Sequence, residues 1–171
     1  DAVPKDFPKD FDFLSVDVDG IDYWVLKDAL EAKYRPKLIC VEFNPTMPLS
    51  LVYAQAKSDD VRHGSSLSAL VELANDHKYT LVETTLFNAF FVPNEVYAAS
   101  EALRKIVPDT SVEALAECTM GTQIYQLYDG TLRIVGCKKL LWHRIPIQEA
   151  KIQMLSKEKR TFPFAPPSSS S

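Results

Sequence analysis

Asp17, Asp19 and Asp22 place three carboxylates within six residues of the run Ser15–Trp24, SVDVDGIDYW. The residues before them read as a strand and those after them as a helix, so the acids sit at a strand-to-helix handover. In open α/β sheets ligands collect outside the carboxyl ends of the strands. A strand's period of two puts Asp17 and Asp19 on one side if extension persists that far. Glu42 and Asn44 stand at the equivalent end of the next strand candidate. Oxygen donors so gathered suit Mg²⁺ or a similar hard cation, held by Asp17, Asp19 and Asp22. Asp17, Asp19 and Glu42 are equally placed to act as bases toward a bound hydroxyl. Asn44 and the loop histidine His63 are the candidate substrate contacts.

A purely structural reading competes at every one of these positions. An Asp before a helix often only caps it, and acids favour a helix N-terminus through its dipole. Asp19 and Gly20 can be punctuation, Asp22 a first-turn charge, and His63 and His77 an ordinary loop residue and helix-end residue. Two known acidic motifs fail on the residues. The string DVDG resembles the DxDGT of haloacid-dehalogenase phosphatases, but Ile21 stands where that motif has Thr. An EF-hand loop would put later ligand positions on Val25 and Lys27, with Asp28 or Leu30 in place of the closing Glu.

The elements that must hold these residues follow from pattern. Phe11–Val18 is rich in Phe, Leu and Val and reads as a strand. Ile21, Trp24, Val25, Leu26, Ala29 and Leu30 recur at the helical period, predicting a helix over Ile21–Lys33 that Pro36 ends. Lys37–Phe43 is the second strand, closed by Asn44-Pro45. Met47–His63 reads as a long functional or packing loop. Ser65 and Ser66 can cap a helix over Leu67–His77, whose apolar stripe is Leu67, Leu70, Val71 and Ala74. Tyr79–Glu83 and Phe87–Val92 are spaced as an antiparallel pair at a sheet edge. A strand–helix–strand crossover implies a parallel pair, so the sheet is mixed and the class α/β.

Beyond residue 96 the character changes. Asn94 can start a helix reaching Ile106, and Ser111–Cys118 adds a short helical turn. Gln123–Tyr128 and Thr131–Gly136 flank Asp129-Gly130, a two-residue hairpin signal. Lys138–Trp142 and a helix over Gln148–Lys157 follow, then the tail Phe162–Ser171. Four segments are expected: a lead-in over 1–11, an α/β half-domain over 12–96, a helical and hairpin extension over 97–161, and a Pro/Ser-rich tail over 162–171.

Composition bounds the function. The 171 residues are 46 % hydrophobic and 25 % charged, ordinary for a globular chain. A net charge of −4 argues against a nucleic-acid partner, and no apolar run approaches the ~18 residues of a membrane span. Asp1–Phe11 is charged and broken by prolines, unlike a secretory signal. Three cysteines without CxxC spacing, Cys40, Cys118 and Cys137, fit buried thiols and a reducing, intracellular compartment, an organelle included. Basic residues concentrate in the C-terminal third, a solvated face or a partner contact.

Four blocks together carry a wider resemblance: DFLSVDVDGIDYWVLKDAL, RPKLICVEFNP, GSSLSALVELANDHKYTLVETT and NAFFVPNEV. In this order and spacing, over Asp12–Val96, the chain resembles the C-terminal half of FkbM-type S-adenosylmethionine-dependent methyltransferases. The resemblance implies a partial Rossmann-like class I methyltransferase fold, the blocks supplying its fourth to seventh strands. It also implies that the acidic turn after the first of these strands lies beside the methyl-transfer centre, which carries onto Asp17, Asp19 and Asp22, with Glu42 and Asn44 on the next strand end.

The departures shape what is expected of the chain. That family holds its cofactor with a glycine-rich turn and an acid at the ends of its first two strands. The five glycines here, at 20, 64, 121, 130 and 136, form no GxG. Lys78 precedes Tyr79 where a Gly is usual, and Pro93 stands where an Arg is common. No cofactor is therefore expected on this chain alone; S-adenosylmethionine, with Mg²⁺, is expected only where the missing half is supplied. Two functions follow. One is a non-catalytic binding or scaffold subunit of a larger assembly, its first strand covered by a protein partner or by upstream residues. The other is the C-terminal part of an active O-methyltransferase acting on a small hydroxylated metabolite or sugar.

Overall fold

The computed structural model describes residues 7–58, 60–116, 122–136, 138–139 and 145–162. The chain divides into two compact units, Asp1–Glu117 and Cys118–Ser171.

The first unit is built on a four-stranded mixed sheet. Its elements are β1 (Phe13–Val16), α1 (Asp22–Glu31), β2 (Leu38–Glu42), α2 (Leu67–Asp76), β3 (Tyr79–Thr84), β4 (Asn88–Pro93), α3 (Asn94–Ala99), α4 (Glu101–Ile106) and α5 (Val112–Leu115). The strand order is β1-β2-β4-β3. β1 and β2 are parallel, with Phe13 opposite Leu38 and Val16 opposite Val41, as the crossover through α1 requires. β4 runs antiparallel to both β2 and β3. The expected pair of strands is present, but only β3 lies at the edge; β4 sits inside the sheet.

Alternation along the strands selects the core face. Val16, Ile39, Val41, Leu81, Ala89 and Phe91 are buried with Leu26 and Leu30 of α1 and Leu67, Leu70, Leu73 and Ala74 of α2. Tyr79 joins them, its ring under the Arg35 guanidinium and its hydroxyl donating to the Pro36 carbonyl; burial pushes that phenol up to about 12. Ser66 caps α2 by accepting from Ala69 N, as its residue type predicts, while Ser65 plays no part in the cap. On the opposite face Leu38, Cys40 and Phe90 are half-buried, and Phe13 is 51 % exposed.

Two expected helices are corrected. The span Asn94–Ile106 is two short helices meeting at Ser100, whose side chain accepts from Leu103 N and starts α4. A serine hydroxyl competing for a backbone N–H in this way breaks a continuous helix. In place of a helix over Gln148–Lys157 there are two 3₁₀ turns, Glu149–Lys151 and Lys157–Lys159. Met154 is 86 % exposed and the Gln153 amide is drawn to Leu132 and Glu149 O, so no apolar stripe is buried to hold a helix.

The second unit centres on the hairpin of β5 (Thr122–Gln126) and β6 (Leu132–Gly136). Its turn is longer than the two residues that Asp129-Gly130 predicts. Leu127 N donates to Thr131 O, Gly130 N donates to Leu127 O, and Gly130 has φ +85. That is a three-residue loop closed by a glycine in the left-handed region. Asp129 Oδ1 accepts from Thr131 N within it. Of the expected strand Lys138–Trp142, residues 140–142 lie outside the described residues, as do Cys118, Cys137 and residues 163–171.

Candidate functional site

The register of β1 on β2 ends with Val16 opposite Val41, and Asp17 and Glu42 are the next residues along. α1 then returns Asp22 to the same spot. One carboxylate oxygen from each of Asp17, Asp22 and Glu42 lies within 4.8 Å of the others. The sequence-predicted acids thus converge, with one exchange: Glu42 joins Asp17 and Asp22 in the tight group, while Asp19 stands outside it, exposed, at φ +57.

Asp22 is 1 % exposed. Its Oδ1 accepts from Val18 N at 2.8 Å and its Oδ2 from Gly20 N at 2.9 Å. It is therefore a buried staple closing the strand-to-helix turn, with a charge-assisted bond on each oxygen, and more than a first-turn surface charge. Each of those oxygens keeps a further lone pair. Asp17 is exposed and Glu42 half-buried.

Glu42 is the perturbed member. Burial, then the negative charges of Asp17, Asp22 and Asp19, push its carboxyl up to about 7. Desolvation and like charge both favour the neutral form. The folded carboxyl thus binds a proton more tightly than the unfolded one, whose ordinary value is 4.5. The stability this gives is full below that value and is lost as pH rises through about 7. Chemical denaturation across that interval should show wild-type stability falling with pH by about 1–2 kcal/mol more than in Glu42→Gln, a figure discounted for retained solvent access. Equal pH slopes for the two proteins would contradict the assignment.

The loop between β2 and α2 walls this turn, and its organiser is Gln55, a residue that the sequence pattern did not mark. Gln55 is fully buried. Its Nε2 donates to Val61 O at 2.6 Å and Ser58 O at 3.2 Å, and its Oε1 accepts from His63 N at 2.9 Å and Gly64 N at 2.8 Å. All four bonds of the amide are made. Trp24 Nε1 donates to Gln55 O and ties the loop to α1. A Cβ on Gly20 would stand 3.1 Å from Val61 O and 3.2 Å from both polar atoms of the Gln55 side chain, at a φ of +153. Gly20 thus lets the acidic turn and the loop touch.

Asn44 and His63 are brought together, but through structural bonds. Asn44 Nδ2 donates to His63 O, and Asn44 Oδ1 accepts from Thr46 N and Thr46 Oγ1. The His63 side chain is exposed. Beside Asn44, whose N donates to Ser65 O, Ser65 is buried with a hydroxyl that has no partner among the described residues.

No family model, no curated protein and no solved structure matches this chain. No helix among the described residues is long and apolar enough to cross a membrane.

Proposed function

We propose that residues 12–96 are the C-terminal half of a methyltransferase-like fold of the FkbM type, serving as a non-catalytic binding or scaffold subunit of a larger assembly. The observation that carries this reading is the open edge at β1. Among the described residues it pairs with β2 alone, Phe13 is 51 % exposed and Val18, just beyond the strand, is 48 % exposed. Parallel strands normally have both faces covered, and an unprotected edge strand is a template for pairing with another chain. The strand order supports the same reading. In the class I methyltransferase fold the seventh strand slots antiparallel between the fifth and sixth, and the fourth pairs with the fifth on one side and the first on the other. Here β4 lies antiparallel between β2 and β3, and the free side of β1 falls where the first strand would stand. A strand from another chain, or from residues beyond these 171, completes the sheet.

The acid cluster favours a second reading, the C-terminal part of an active O-methyltransferase for a small hydroxylated metabolite or sugar. Glu42 titrates near the pH at which a general base works best, and Asp17 and Asp22 add the hard oxygens a cation would take. Calorimetric titration tests the first reading. The 171 residues alone should give no saturable S-adenosylmethionine isotherm in the micromolar range, since no glycine-rich turn is present to seat the cofactor. Saturable binding there would move the conclusion to the enzyme.

A further inference from the structure

Within the second unit the C-terminal turns fold back over the end of the β5–β6 hairpin and leave a cleft of about 540 Å³, the size of a small-molecule site. Contacts on either side hold its walls. A Cβ on Gly130 would stand 2.8 Å from Leu155 Cδ1, so the hairpin turn lies directly against that side chain. The Tyr128 and Phe162 rings meet edge to face at 6.2 Å. Gln153 bonds to both Leu132 N and Leu132 O.

The charges lining the cleft fall into two groups. The acids are already engaged. Asp129 Oδ1 accepts from Thr131 N at 2.8 Å and Oδ2 from Thr131 Oγ1 at 2.9 Å. Glu149 accepts from Ile134 N and pairs with Arg133 and Lys138, each at 3.3 Å. Arg133 is thereby neutralised. The cations at the second turn are not. Lys157 is exposed and makes no ion pair among the described residues. Arg160 is half-buried, and its Nε donates to Leu155 O at 3.0 Å. That bond fixes the guanidinium plane and leaves its Nη groups without a partner among the described residues. A fixed guanidinium and a free ammonium supply the planar fork and the point charge that a phosphate group takes.

We propose that this cleft binds the phosphate monoester of a small hydroxylated molecule, with the phosphate on Lys157 and Arg160. A phosphate ester carries about −1.5 to −2 charge at pH 7, which two cations match and a single carboxylate does not. The remaining space takes the rest of the molecule, where Asp129 and Glu149 keep lone pairs for its hydroxyls. The same two acids repel an extended polyanion, so the ligand is a small molecule.

Glucose 6-phosphate, inorganic phosphate and glucose, titrated into the ¹⁵N-labelled full chain at constant ionic strength, test this. Glucose 6-phosphate should shift the amides of Thr131, Lys157 and Arg160 saturably, with a Kd of about 10⁻³ M or tighter. Inorganic phosphate should bind at least ~3-fold more weakly, lacking the hydroxyl contacts, and glucose should not saturate. Lys157→Gln removes a side chain that bonds to nothing in the fold, and should weaken glucose 6-phosphate at least ~5-fold. Lys159→Gln takes the same charge from the same turn outside the cleft, and should leave the affinity unchanged. Arg160→Lys, which keeps the charge and loses the fork, should cost less than Arg160→Gln. Three results would each overturn the proposal: no saturable shift up to ~10⁻² M, an equal loss in Lys157→Gln and Lys159→Gln, or inorganic phosphate binding as tightly as the ester.

Discussion

Replacing Asp22 by Ala should destabilise the first unit by about 2–4 kcal/mol, read as a fall in the denaturation midpoint at unchanged slope. The carboxylate is 1 % exposed and receives Val18 N and Gly20 N. Removing it leaves two amides in a site that water does not readily refill, and each bond to a charged acceptor is worth about 1.5–3 kcal/mol. Relief of repulsion with Glu42 offsets part of the loss, because Asp22 is one of the charges that raise that carboxyl. Asp22→Asn keeps one acceptor and turns its amide donor toward the other N–H, so it should lose at least half as much. The same variants carry a second readout. With one negative neighbour gone, the Glu42 carboxyl should titrate lower, and the fall in stability between pH 4.5 and about 7 should shrink. A destabilised Asp22→Ala with an unchanged pH slope would mean the carboxyl only staples the turn and does not bear on Glu42.

This site was legible in the sequence to the extent that it depends on strand ends. A parallel pair joined by one helix brings the C-terminal ends of both strands to one side, so Asp17 near Glu42 followed from the order of elements alone. Asp19 fell away for a local reason. Its φ of +57 breaks the strand's period before the second acid, and Asp22 takes its place by folding back from α1 onto the turn. A period-two count cannot foresee that reversal, although Gly20 between them marks where it happens.

The long helices and the sheet were readable because their apolar stripes are buried, as at Leu26 and Leu30 or Leu70 and Leu73. The failures lie where side-chain hydrogen bonds decide. Ser100 divides one expected helix by capping its second half, and Gln153 bonds across to Leu132 instead of lying on a helix face. Both residues look neutral in a hydrophobic pattern. The hairpin turn was placed correctly and sized wrongly, since Asp-Gly serves a two-residue turn or the end of a three-residue one. Gly130 at φ +85, with Leu127 still paired to Thr131, selects the second.

Gln55→Leu should release the loop that walls the acidic turn while leaving the sheet folded. Leu nearly preserves volume but supplies neither donor nor acceptor, so Ser58 O, Val61 O, His63 N and Gly64 N all lose their partner. Satisfying them inside the fold is no longer available, and opening the segment to water becomes the cheaper state. Local opening of this kind costs less than global unfolding. Hydrogen exchange at His63 and Gly64 should therefore accelerate by about 10²-fold or more, equivalent to roughly 3 kcal/mol of lost protection, while β2 and β4 amides such as Val41 and Phe91 change little. Gln55→Glu is the sharper comparison. It keeps an acceptor for His63 N and Gly64 N but points a carboxylate oxygen at Val61 O and Ser58 O, so cleavage should rise first in the 58–62 stretch. Protease cutting confined to that stretch in Gln55→Glu, and spread through 56–64 in Gln55→Leu, would separate the two halves of the amide's role. Exchange at His63 and Gly64 unchanged in Gln55→Leu would mean that the loop is held by the Asn44 and Trp24 bonds instead.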